Sequence, residues 1–225
     1  NAKEFVPYAT KFIDMSKTEV HFQSEWYNAM TLEKSIRLMA TVTKEQLMRH
    51  ETFRKREKDH KSLGFHEMFY TLLMAYDSVM VHPDIELGGP DQKFNFLITR
   101  QVMEKFGLAP QSAMLLKFLP GTDGAEKMSK SSGNFIGMSE NPDVQFEKIM
   151  KIRDDDIVNF FDLATSVAIE KLQILKSNLE SQKLHPIAAK RCLALEIVSQ
   201  AHSKEEANEA DLKFFEAHRQ LKNMI

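Results

Sequence analysis

LPGTDGAEKMSKSSGNFIG, residues 119–137, is the stretch whose reading decides the fold. It is polar and glycine-rich, and it joins an apolar run (113–119) to an apolar exit at Phe135 and Ile136. Its glycines permit sharp turns, since they reach backbone angles closed to other residues. Lys127 and Lys130 stand three apart, with Ser129 between them and Ser131 after. Two ammonium groups and two hydroxyls on one loop can wrap a polyphosphate. A Lys/Ser loop by itself is more often a solvated basic turn, so the surroundings must decide.

Upstream, Ile85-Glu86-Leu87 reads as a short strand, and Gly88-Gly89 lets the backbone come close to a ligand. Pro90 fixes φ, and Asp91 is expected to cap a helix running from Gln92 to about Phe106, which Gly107 ends. The run 113–119 reads as a second, parallel strand covered by helices. A strand, a glycine turn and a helix N-terminus form the usual ligand geometry of an open α/β sheet. Before them, 65–81 is expected as a helix with an apolar seam at Phe69, Leu73, Tyr76 and Met80. Tyr70, Met74 and Asp77 share one face of it.

The remaining chain reads as helical with few exceptions. Residues 1–14 carry helical spacing, and Glu19 to Phe22 is expected to be extended. Ser24 is expected to cap a short helix around Trp26, itself read as a core aromatic. A helix from Leu32 weakens at Thr41–Thr43, where Thr43 is expected to cap a second one from Lys44. Residues 49–61 hold six Lys/Arg against three Asp/Glu. That segment is either a solvated helical face or a phosphate-contacting patch. Asn141-Pro142 opens a helix to about Lys151. Asp154-Asp155-Asp156 is read as an acidic turn and cap, not a metal site. Beyond it the chain is all helix. Ala188, Cys192, Leu195 and Val198 are expected on one buried face, and Ser203 with Glu206 fits a capping box.

Composition bounds the rest. With 225 residues and 43% hydrophobic content the chain can bury a sizeable core. A net charge of -2 gives no bulk attraction to nucleic acid, so any such contact needs local patches. A single cysteine, Cys192, excludes an internal disulfide and a multi-cysteine zinc site, and it is expected as a small core filler. No apolar run reaches membrane-spanning length, and a cytoplasmic location is the expectation.

KMSKS at 127–131 resembles the second signature of class I aminoacyl-tRNA synthetases, and the surrounding blocks look like the tyrosyl-tRNA synthetase family. SEWYNAM (24–30), FRKR (53–56), FYTLLMAYDSV (69–79) and GGPDQKFNFL (88–97) fit in order, and KMSKSSGNFIGMSENP (127–142) is the most specific. The resemblance implies an α/β fold: a partial Rossmann-like catalytic domain with a helical insertion over 1–140, then a helical anticodon-arm-binding domain over 141–225. It implies that Tyr70, Asp77, Gln92 and the position of Met74 hold tyrosine, Asp77 on the phenol and Tyr70 on the amino group. Gly88, Gly89 and Asp91 would meet the adenylate ribose. Lys127, Met128, Ser129, Lys130 and Ser131 would meet ATP, with Lys127 and Lys130 catalytic. Family members carry glutamine where this chain has Met74, a weak acceptor.

The implied reaction activates L-tyrosine with ATP and Mg2+ to tyrosyl-adenylate, then transfers tyrosine to tRNA(Tyr). No protein metal ligand is implied, and a homodimer is. The first class I signature, HIGH, is absent, as is the RNA-binding module that often follows in bacterial relatives. These 225 residues alone are therefore expected not to make adenylate at a useful rate. Alternatives left open are a non-catalytic RNA-binding or interaction protein, a tryptophanyl-type ligase, and an unrelated adenylate-forming enzyme.

Overall fold

The computed structural model describes residues 9–124, 128, 129 and 132–223. The chain forms two compact units. One is Val20–Lys117, and the other takes the described residues on either side of it.

Val20–Lys117 begins with short helices: α1 (Ser24–Tyr27), α2 (Leu32–Met39), α3 (Lys44–Leu47) and α4 (Glu51–Lys58). Thr43 caps α3 as expected, in a reciprocal box with Gln46 that satisfies two otherwise orphaned N–H groups. Then come α5 (Phe65–Val81), β1 (Ile85–Gly88), α6 (Lys93–Lys105) and β2 (Ser112–Leu115). The two strands are parallel, with Ile85 opposite Ser112 and Gly88 opposite Leu115. Parallel neighbours require a crossover, and α6 is that crossover. Gly107, at φ 77°, closes its C-terminal end. Leu72, Ala75, Tyr76 and Val79 of α5 pack with Ile98, Val102 and Met103 of α6 and Leu38 of α2.

Several expectations need correction here. The buried stripe of α5 runs through Leu72, Ala75, Tyr76 and Val79, while Met80 is 43% exposed. The helix is apolar on most of its circumference, so spacing alone did not fix its rotation. Glu19 to Phe22 pairs with no strand among the described residues, and Val20 and Phe22 are exposed. The N-cap of α1 is Gln23, and Ser24 is its first helical residue. Asp91 lies within a 3-10 turn, Pro90–Gln92, rather than at a cap.

The second unit holds α7 (Pro142–Met150), α8 (Ile157–Ala164), α9 (Ile169–Glu180), α10 (Pro186–Ala201) and α11 (Lys204–Asn223). Asn141 caps α7 through the Asp143 amide, with Pro142 at the first position. Phe146, Ile149, Ile157, Phe160 and Leu193 are fully buried in its core. At about 1.5–3 kcal/mol each, such side chains dominate the unit's stability. Asp154–Asp156 forms a 3-10 turn whose first carboxylate pairs with Lys190. Arg191 grips Asp211 by two bonds of 2.7 and 2.6 Å, tying α10 to α11. Cys192 is exposed, contrary to the expected core role. The stripe of α10 that turns inward is Ala189, Leu193, Ala194 and Val198; of the expected face, Val198 is buried and Leu195 partly so, while Ala188 and Cys192 are exposed.

Candidate functional site

Asp77 is the most heavily engaged of the expected site residues. One carboxylate oxygen accepts from Trp26 Nε1 at 3.0 Å and lies 2.8 Å from the Tyr27 hydroxyl. The other accepts from Gln23 Nε2 at 2.6 Å. Residues 23, 26 and 27 sit three and four apart, so one turn around α1 presents all three donors together. The Tyr27 hydroxyl also reaches the Leu73 carbonyl. Burial, and then the bond to Asp77, push the Tyr27 phenol well above its usual range, so it stays an O–H donor. An ionised carboxylate offers about four acceptor positions; Gln23 and Trp26 take two, and the single Tyr27 proton is shared between Asp77 and the Leu73 carbonyl, which leaves acceptor capacity for a ligand hydroxyl. Glu86 of β1 accepts from Gln111 Nε2. Its carboxyl is raised, chiefly by burial.

Tyr70 lies two turns earlier on α5 and is 64% exposed. It borders a cavity of about 430 Å³ with His50, His66, Glu67, Thr71 and Asn95. Asn95 is 7% exposed and donates to Gln92 Oε1 at 3.0 Å. Its own Oδ1 is buried and has no hydrogen-bond partner among the described residues. Gln92 is thereby held by its carbonyl end, leaving its amide N–H groups available as donors. Glu67 accepts from the Gly64 amide and then pairs with Arg56, which together hold its carboxyl below the usual range. Met74 is half-buried, and neither it nor Asp77 borders this cavity. At Gly88 the close neighbour is protein: an added Cβ would lie 2.6 Å from Cζ of the buried Phe96.

The loop of 119–137 belongs to the helical unit. Lys127, Lys130 and Ser131 lie outside the described residues, whereas Met128 and Ser129 are within them. The Met128 amide donates to the Leu119 carbonyl at 3.1 Å, and its side chain packs on the helical core. The Ser129 amide donates to Asn134 Oδ1 at 2.9 Å, and its hydroxyl to Ser132 Oγ at 2.9 Å. Gly124 has φ 64° and is pressed against Arg153.

Sequence reasoning missed Gln23, Tyr27, Asn95 and Asn134, and it placed Trp26 in the core alone. Trp26 does pack there partly buried, but its indole N–H faces Asp77. The usable signal was the i, i+3, i+4 spacing of three donors on one short helix.

Residues 2–219 match the model of the tRNA synthetases class I (W and Y). The tyrosine–tRNA ligase of Carboxydothermus hydrogenoformans is 42% identical over 220 residues, covering 98% of this chain and 54% of that protein. That of Dehalococcoides mccartyi is 41% identical over 214 residues, covering 95% and 54%. The chain thus spans about half the length of the curated relatives it matches. Among solved structures, the Archaeoglobus fulgidus tyrosyl-tRNA synthetase complexed with L-tyrosine superposes with TM-score 0.70 at 20% identity, covering 93% of this chain and 73% of that one. A C-terminally truncated mitochondrial tyrosyl-tRNA synthetase of Coccidioides posadasii gives 0.70 at 14%, covering 94% and 64%. At such identities the superpositions show a shared fold.

Proposed function

The chain belongs to the class I tRNA synthetases of the W and Y family, and we propose that it forms part of a tyrosine–tRNA ligase. The observation that carries this reading is the Asp77 carboxylate, held by Gln23 and Trp26 with the Tyr27 hydroxyl 2.8 Å away. Such a group discriminates a phenol from a phenyl ring, because a ligand lacking the hydroxyl leaves it short of a partner. Tyr70 takes the amino group, and Gln92, steadied by Asn95, donates to the amino acid. Met74 contributes an apolar contact where relatives are expected to bond the amino group, so Tyr70 carries more of that work. Gly88, Gly89 and Asp91 meet the adenosine ribose.

The chemistry follows from these parts. The tyrosine carboxylate attacks the α-phosphate of ATP, and pyrophosphate leaves. The acyl group then passes to the terminal ribose of tRNA(Tyr). Neither step needs a protein nucleophile, so the protein supplies position and charge. Lys127 and Lys130 stabilise the charge that develops on the phosphates, and Met128, Ser129 and Ser131 complete the loop around ATP. Mg2+ arrives on the nucleotide. Residues 1–140 serve the catalytic part, and 141–225 the anticodon arm of tRNA(Tyr). The working form is a cytoplasmic homodimer. Exposed Ile85, Leu87 and Met114 on a parallel ladder support a sheet that further protein covers.

The test uses the polypeptide of the full reading frame. Asp77→Ala should raise KM for tyrosine far more than KM for ATP, and reduce discrimination against phenylalanine by about tenfold to a hundredfold. Equal loss of both substrates would remove the pocket from the reading.

A further inference from the structure

We propose that Asn134 is a positioning residue for the lysine loop, setting the stem from which both lysines extend. The proposal rests on the reading of that loop as the phosphate-binding element.

Asn134 is 5% exposed. Its Oδ1 accepts the Ser129 amide at 2.9 Å. Its Nδ2 donates to the Asp123 carboxylate, 3.2 and 3.1 Å from the two oxygens. Its main-chain carbonyl accepts the Thr122 amide at 3.0 Å. One side chain thus joins residues before, within and after the KMSKS run. A carboxamide alone places a donor and an acceptor side by side on so short an arm. A Cβ at Gly121 would lie 2.1 Å from Asn134 Nδ2, so this packing requires glycine there.

The neighbouring anchors point the same way. Lys148 donates to the Phe135 carbonyl at 2.9 Å, and Gln145 donates to the Gly137 carbonyl. Lys127 is one peptide from Met128, and Lys130 one peptide from Ser129. Charge stabilisation of a transferring phosphate demands placement within a fraction of an ångström, and its loss appears in kcat more than in KM.

The experiment uses tyrosine-dependent ATP–pyrophosphate exchange by the full reading frame. Asn134→Ala should lower kcat by about tenfold to a hundredfold with KM for tyrosine unchanged. Asn134→Asp keeps the volume but sets a carboxylate against Asp123, and should lose as much. The swap Asp123→Asn with Asn134→Asp restores donor to acceptor, and should regain most of the lost rate. Near wild-type kcat in Asn134→Asp, or no rescue by the swap, overturns the proposal. Amide hydrogen exchange on the 225-residue chain separates its failure from that of the functional reading. The Ser129 amide should be protected, and should lose protection in Asn134→Ala while the core amides of α7 and α10, in the same unit, keep theirs. An unprotected Ser129 amide in the wild type sinks the network. Absence of tyrosine-dependent exchange with that protection intact sinks the functional reading instead.

Discussion

Tyr27→Phe removes one oxygen from the group of donors around Asp77. In the structure that oxygen lies 2.8 Å from an Asp77 carboxylate oxygen and also reaches the Leu73 carbonyl. A hydrogen bond to a charged partner is worth about 1.5–3 kcal/mol when buried. Tyr27 and Asp77 are each half-buried, so solvent screening reduces the expected figure to about 1 kcal/mol. The loss of Tyr27→Phe alone also contains the bond to Leu73 and some repacking against Tyr76, whose ring centroid is 6.1 Å away. A double-mutant cycle with Asp77→Ala isolates the shared part. Urea unfolding followed by tryptophan emission is the assay, since the single tryptophan, Trp26, lies in the unit under test. We expect a coupling energy of about 1 kcal/mol at an unchanged m-value. Additivity within about 0.3 kcal/mol would show that the phenol and carboxylate do not hold each other, and the reasoning about Asp77 would fall.

Other outcomes follow from the same structure. The folded Tyr27 phenol is raised, so its contribution is complete below the ordinary tyrosine pKa of about 10 and is lost as pH rises towards the folded value; Tyr27→Phe should lose less stability above that pH, and parallel curves would contradict this. The Glu86 carboxyl is also raised, so its contribution is present below its ordinary value and declines as pH rises through the folded one. Glu86→Gln should remove that decline, read as a flatter unfolding midpoint between acid and neutral pH. Gly88→Ala should cost about 1–3 kcal/mol by overpacking against Phe96, and an unchanged urea midpoint would show that the ring yields freely. Cys192 should react with a thiol reagent in the native chain as an exposed thiol does; protection until unfolding would return it to the core.

Punctuation in the sequence located elements better than apolar spacing oriented them. Gly107 ends α6 and Asn141-Pro142 opens α7, each for a local backbone reason that the chain carries by itself. The rotation of α5 and α10 was not legible, because both offer more than one apolar stripe and tertiary packing selects among them. Trp26 illustrates the same limit at the site. Its body is a core aromatic, as read, but its N–H partner stands 51 residues away in sequence, and no local pattern announces it. Asn134 was hidden similarly: within a glycine-rich loop it reads as a turn former, and only burial shows its amide spanning Asp123 and Ser129. The strand–turn–helix block was legible as a whole, though Asp91 was assigned a cap that the 3-10 turn makes unnecessary.

Amino-acid-dependent exchange of pyrophosphate into ATP, with tyrosine, phenylalanine and tryptophan offered separately to the polypeptide of the full reading frame, tests the central claim most directly. Tyrosine should support exchange while the other two do not at equal concentration. Exchange driven by tryptophan, or by none of the three, would contradict the assignment of Asp77 to a phenolic substrate.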